Sequence, residues 1–169
     1  HDGLPSIYLT HAIPGNPFRG VFHDSPDGIV AEEFSAVQES IAIVGHTHRP
    51  LDRRVNGTRI LNGGAVGLPY NGDMRAQYLI LEEDGSKWKP IFRQVEYDNS
   101  LVEEAFVATG MAAAMGAYGT LHLRTAITAQ PWSSDFAWWL GKQPAAQYAS
   151  VDDAVACYLQ NHGPDNWAF

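Results

Sequence analysis

The chain has 169 residues, 45% hydrophobic and 18% charged, with 11 Lys plus Arg against 19 Asp plus Glu and a formal net charge of -8. That apolar content can repay its ordering entropy, which excludes a disordered chain, and the acidic balance gives no sign of nucleic-acid binding driven by charge. A single cysteine, Cys157, excludes an internal disulfide framework and suits a reducing compartment, so a cytoplasmic location is expected, and no run approaches the ~18–20 apolar residues of a spanning helix, so no membrane partner is expected.

In chain order, Ser6-Ile7-Tyr8-Leu9-Thr10 is a compact apolar run that predicts a buried strand, and Ile41-Ala42-Ile43-Val44 predicts a second. Between them Ser25-Pro26-Asp27 reads as N-cap, first helical residue and first-turn acid. Val30, Phe34, Val37 and Ile41 follow at helical spacing and give one apolar face. Arg53-Arg54-Val55 and Thr58-Arg59-Ile60-Leu61 flank Asn56-Gly57, the pair that predicts a tight hairpin because both residues tolerate positive φ. Gln77–Leu81 and Trp88–Val95 predict another strand pair around Asp84-Gly85.

After Asp98 the texture becomes helical and rich in Ala. Short helices are expected over Leu101–Ala108 and around Leu121 and Phe136, with close helix packing at Met111–Met115. Ser150-Val151-Asp152-Asp153 resembles a capping box with Asp in the Glu position, which assigns the two acids to capping. Val151, Val155 and Leu159 then share a face, and Gly163-Pro164 predicts the stop. Trp132, Trp138 and Trp139 are expected in helix packing or an oligomer contact, with a substrate-facing shelf as the other use. The expected organisation is therefore a sheet-containing region over residues 1–98 and a helical extension packed on it over 99–169.

The string with chemical content is Gly45-His46-Thr47-His48-Arg49-Pro50, directly after an apolar strand. Two His separated by one residue at a strand end escape the ladder and can address one locus, and neutral imidazole is the commonest metal ligand near neutral pH. His11 also stands at a strand end, so parallel or mixed pairing of the two strands would bring it beside His46. Leu61-Asn62-Gly63-Gly64-Ala65-Val66-Gly67-Leu68-Pro69-Tyr70 is a Gly-rich loop of the kind that lets backbone N–H groups approach an anion. His23, His122 and His162 have no partner spacing and read as ordinary surface or core residues.

His11, then the Gly45–Pro50 string, then Val66-Gly67-Leu68-Pro69, resembles in order and texture the calcineurin-like metallophosphoesterases, and within them the small bacterial phosphodiesterase branch, over roughly Ile7 to Tyr97. The resemblance implies an α+β fold, part of a four-layer αββα sandwich with a C-terminal helical extension. It also implies two divalent metal ions (Mn, Fe, Zn or Ni) about a bridging Asp. His11 and His46 would be ligands of the second metal and His48 of the first. Metal ions so placed would make a hydroxide that attacks phosphorus at neutral pH, and Arg49 and Arg19 would neutralise phosphate oxygens.

The family's Asp-x-His, Gly-Asp and Gly-Asn-His-Asp/Glu strings are not complete here. His1-Asp2 is either the last half of the third string or a turn before the first strand, and the chain is expected to be the C-terminal portion of such an enzyme, inactive alone. Two functions follow: a phosphodiester or phosphomonoester hydrolase with a small phosphorylated substrate, or a non-catalytic three-His module that binds metal or phosphate. A metallo-β-lactamase-like hydrolase is weaker, because Arg49-Pro50-Leu51-Asp52 lacks the adjacent Asp-His pair it needs.

Overall fold

In the computed structural model, which describes residues 3–162, the apolar runs of the first half become a four-stranded mixed sheet. Its strands are β1 (Ile7–Leu9), β2 (Ile41–Val44), β3 (Pro50–Val55) and β4 (Thr58–Gly63), in the order β1-β2-β4-β3. His1 and Asp2, for which the sequence left two readings, lie outside the described residues, as do Gly163 and Pro164. The fold is mixed α+β, as expected, and the chain divides into two units, His1–Tyr97 and Asp98–Phe169.

Strand direction follows from the connections. β1 and β2 are joined through a helix, and they pair in parallel with Ile7 opposite Ile41 and Leu9 opposite Ile43. β2 and β4 are also parallel, with Val44 opposite Asn62. β3 and β4 form the expected hairpin, whose turn residues Asn56 and Gly57 both take positive φ (47° and 88°). The carboxyl ends of β1, β2 and β4 therefore reach one edge of the sheet, where β3 begins. A second hairpin pairs β5 (Ala76–Asp84) with β6 (Lys87–Val95), close to the expected limits.

Helix α1 (Asp27–Glu33) lies between β1 and β2 and buries Val30; Phe34, just past its end, and half-buried Val37 join the same core with Val21, Ala42, Val44, Leu51, Val55 and Ile60. Two details depart from expectation. Ser25 does not cap the helix: its Oγ accepts the Phe22 N–H at 3.0 Å, and Pro26 stands at the N-cap without a side-chain bond. Ile41 does not extend the helical face, because i→i−3 bonds from Ser35 to Glu32 and from Val37 to Phe34 close the helix, and Ile41 instead opens β2.

The second unit is helical: α2 (Ser100–Ala108), α3 (Met111–Ala114), α4 (Gly116–Thr128), α5 (Trp132–Leu140) and α6 (Val151–Asn161). Its core gathers Leu121, Trp132, Phe136, Ala154, Val155 and Tyr158, with the Phe136 and Tyr158 rings edge-on at 5.4 Å. Burial, with the nearby Asp135 charge, pushes the Tyr158 hydroxyl up to about 12. Trp132 is buried and Trp139 packs on this core, so these two are structural. Trp138 is exposed beneath the Lys142 ammonium, 3.2 Å from the ring centroid.

Both acids at the start of α6 serve helix ends. Ser150 Oγ accepts the Asp153 N–H at 3.1 Å, the expected cap. Asp152 acts on another helix, its Oδ1 accepting the Ala117 N–H at 3.0 Å in the first turn of α4.

Candidate metal centre

The parallel register of β1 and β2 continues past the strands themselves. Thr10 N–H donates to the Ile43 carbonyl at 3.0 Å and Gly45 N–H to the His11 carbonyl at 2.8 Å. These two bonds set His11 beside the Gly45–His48 loop. As a result His11 Nε2 lies 3.2 Å from His46 Nδ1, with the rings edge-on and their centroids 5.2 Å apart.

Two imidazole nitrogens at this separation either share a proton or share a cation. Nitrogens about 2.1 Å from one ion, at angles between octahedral and tetrahedral, stand about 3.0–3.4 Å apart. The observed pair falls inside that span. The charge state agrees as well: burial, with the His11 and His48 charges adding to it, holds the His46 pKa below the ordinary imidazole value, against a hydrogen bond to the Phe18 backbone that works the other way. His46 is thus biased toward the neutral, ligating form.

His48 is placed differently. Its Nδ1 lies 2.7 Å from the Leu68 carbonyl oxygen, which can only accept, so Nδ1 carries the proton and Nε2 keeps the lone pair. Tyr70 stacks on the ring at 5.0 Å between centroids. The Gly-rich loop expected to meet an anion therefore also orients an imidazole.

The loop that carries these two His is strained and braced. His46 and His48 both adopt left-handed backbone, φ 66° and 55°, which costs about 1–2 kcal/mol per residue without glycine. Thr47, between them, is buried. Asn62, 1% exposed at the end of β4, holds the arrangement: its Nδ2 donates to the Gly45 carbonyl at 2.8 Å and to Thr47 Oγ1 at 3.0 Å, and its Oδ1 accepts the Gly64 N–H at 2.9 Å. Gly20 closes the other side, since a Cβ there would stand 2.4 Å from Thr47 Cγ2 and 3.1 Å from His46 Cδ2.

Sequence reasoning missed Asn62, Thr47, Gly20, Tyr70 and the Leu68 carbonyl. The one available signal was Asn62 itself, a polar residue closing an apolar strand. Of the expected phosphate ligands, Arg19 places Nη1 3.1 Å from Glu33 Oε1, in ion-pair range without hydrogen-bond alignment. Arg49, next to His48, has a buried Nε with no hydrogen-bond partner among the described residues.

Residues 5–86 match the model of the calcineurin-like phosphoesterase superfamily domain. This segment is similar to the calcineurin-like phosphoesterases. Among solved structures, a metallophosphoesterase from Sphaerobacter thermophilus is 28% identical with a TM-score of 0.54, over 70% of this chain and 54% of its own. A hypothetical protein from Pyrococcus horikoshii OT3 shares the fold at 24% identity and a TM-score of 0.55, over 63% of this chain and 42% of its own. The chain thus spans about half the length of the structures it matches. Comparison with curated proteins gives no match.

The donor set fits the family's metals in part. His11 and His46 bring two nitrogens to one locus, while His48 is not gathered with them closely enough to complete it. Among the described residues no group of three or more His, Cys, Asp or Glu side chains is gathered closely enough to hold an ion. The bridging carboxylate of a two-metal centre is therefore not supplied by those residues.

Proposed function

We propose that the chain provides the histidine side of a metal-dependent phosphoesterase centre that hydrolyses a phosphodiester or phosphomonoester, with diesters preferred. The observation that carries this reading is the 3.2 Å approach of His11 Nε2 to His46 Nδ1 within a phosphoesterase segment. His11 and His46 would hold one divalent ion, Mn, Fe, Zn or Ni, and His48 would bind a second through Nε2. When bound, such ions lower the pKa of coordinated water and polarise phosphoryl oxygens.

The chain's own residues perform the positioning. The Leu68 carbonyl fixes the His48 tautomer, and Asn62 and Gly20 hold the left-handed loop that aims both imidazoles. Arg49 neutralises substrate oxygens; Arg19 can do so only by leaving Glu33. Among the described residues no carboxylate joins the histidines closely enough to share an ion. With no helix among the described residues long and apolar enough to cross a membrane, and one cysteine, a cytoplasmic location is part of the same proposal.

A non-catalytic metal-binding module is the second reading, favoured by the missing carboxylate cluster among the described residues. Hydrolysis of a chromogenic phosphodiester with Mn²⁺ by the full-length protein separates the two. The enzyme reading expects turnover that falls at least about 100-fold in His48→Ala, a loss no smaller than those seen when outer-shell partners of a metal are removed. Mn²⁺ binding without turnover selects the module, and turnover unchanged in His48→Ala removes that residue from the centre.

A further inference from the structure

A cavity of about 160 Å³, the liquid volume of about five waters, is lined by Val21, Phe22, His23, Asp24 and Arg49–Leu51. It adjoins the metal centre through the His48–Arg49 peptide, and its walls are fixed. His23 Nε2 lies 3.1 Å from the Pro50 carbonyl, which ties the Val21–Asp24 stretch to the start of β3. Arg53 Nη1 donates to the Phe22 carbonyl at 2.9 Å, and Nη2 bonds the Ser25 carbonyl and Asp27.

The two arginines here are used differently. Arg53 spends its donors on the protein, two backbone carbonyls and a carboxylate, and is a structural clamp. Arg49 lines the cavity, and its guanidinium makes no hydrogen bond or ion pair among the described residues. A half-buried guanidinium beside a cavity, without a carboxylate or carbonyl partner of its own, is a donor group open to an oxyanion. Asp24 lines the same space, yet no Arg49–Asp24 ion pair forms among the described residues.

We propose that this cavity is an oxyanion subsite in which Arg49 reads a second anionic group of the substrate, separate from the phosphoryl group at the histidines. Guanidinium matches the two oxygens of a phosphate or carboxylate as a fork, which an ammonium cannot do. The volume is ample for one such group. Asp24 keeps the cavity near neutral, so recognition rests on hydrogen-bond geometry and rejects a substrate without the second anion. The assignment rests on the phosphoesterase reading for what the substrate is, but not for whether the anion binds.

The test uses the whole chain, metal-free in chelator, titrated with inorganic phosphate and separately with acetate. The readouts are the Arg49 Nε–H resonance and the Val21–Asp24 amides. Saturable shifts confined to these groups are expected, with the tighter anion naming the group. Arg49→Lys should weaken binding at least tenfold, and Arg54→Lys, at an exposed position of β3, should leave it unchanged. No saturable shift in the wild-type chain, or equal affinity in Arg49→Lys with a wild-type amide spectrum elsewhere, overturns the subsite. Failure of Mn²⁺ to bind the histidines refutes the phosphoesterase reading while leaving the phosphate result intact, so the two failures are distinct.

Discussion

Asn62→Ala is the most informative single change in the first unit, because three hydrogen bonds meet at one side chain that is 1% exposed. Their losses are not equal. The Gly45 carbonyl keeps the Thr47 N–H at 2.8 Å, and the Thr47 hydroxyl can turn, so each of these forfeits about 0.5–1.5 kcal/mol. The Gly64 N–H has no second partner among the described residues and bears the penalty of an orphaned donor, about 1–3 kcal/mol. A net loss of about 2–6 kcal/mol is expected, or about 8–24 °C in the Tm of a unit this size at about 4 °C per kcal/mol. Thermal unfolding followed at the Ile60 and Leu61 methyl resonances reports this unit alone. With the brace gone, the left-handed His46 and His48 relax and Mn²⁺ affinity falls alongside stability. A loss under about 0.5 kcal/mol with unchanged metal affinity would refute the idea that Asn62 holds the loop.

Gly20→Ala should cost about 1–3 kcal/mol by forcing a methyl into Thr47 Cγ2, and Thr47→Ser should restore part of it in the double variant; denaturant midpoints measure both, and no recovery would place the clash elsewhere. The Arg59 hydrogen bond holds the Asp52 carboxyl below the ordinary aspartate range, so its stabilisation is complete above that range and is lost as pH falls through the depressed folded value. The pair is partly exposed, so Asp52→Asn should cost under about 1 kcal/mol at neutral pH and flatten the acid limb of a stability–pH curve; an unchanged acid limb would show that the pair adds nothing. In the helical unit, Asp152→Ala should remove the cap on α4 and cost about 1 kcal/mol, with faster amide exchange at Ala117; unaltered exchange there would contradict the capping role.

Features encoded locally were legible in the sequence. The Asn56-Gly57 turn, the strand ends carrying His11 and His46, and the Ser150 cap each depend on residues adjacent in the chain. His11 and His46 could be paired on the condition that the two apolar runs lie side by side in a parallel or mixed sheet, which the β1–β2 register meets. The brace was not legible, since Asn62 reaches Gly45 and Thr47 only through the β2–β4 register. The His48 tautomer depends on a backbone carbonyl at Leu68, which no residue type announces. Ser25 looked like an N-cap because its neighbours fit the pattern, but its hydroxyl was taken by the Phe22 amide. The clamp made by Arg53 was hidden, because its partners at Phe22, Ser25 and Asp27 are distant in the chain.

The measurement nearest the centre of the proposal is Mn²⁺ titration of the chain followed by imidazole ¹H–¹⁵N correlations. Paramagnetic broadening should strike the His11 and His46 rings together and first, ahead of His23, His122 and His162, and His46→Ala should abolish it at His11. Broadening that spares these two rings, or that persists at His11 in His46→Ala, would show that the pair shares a proton and does not hold a metal.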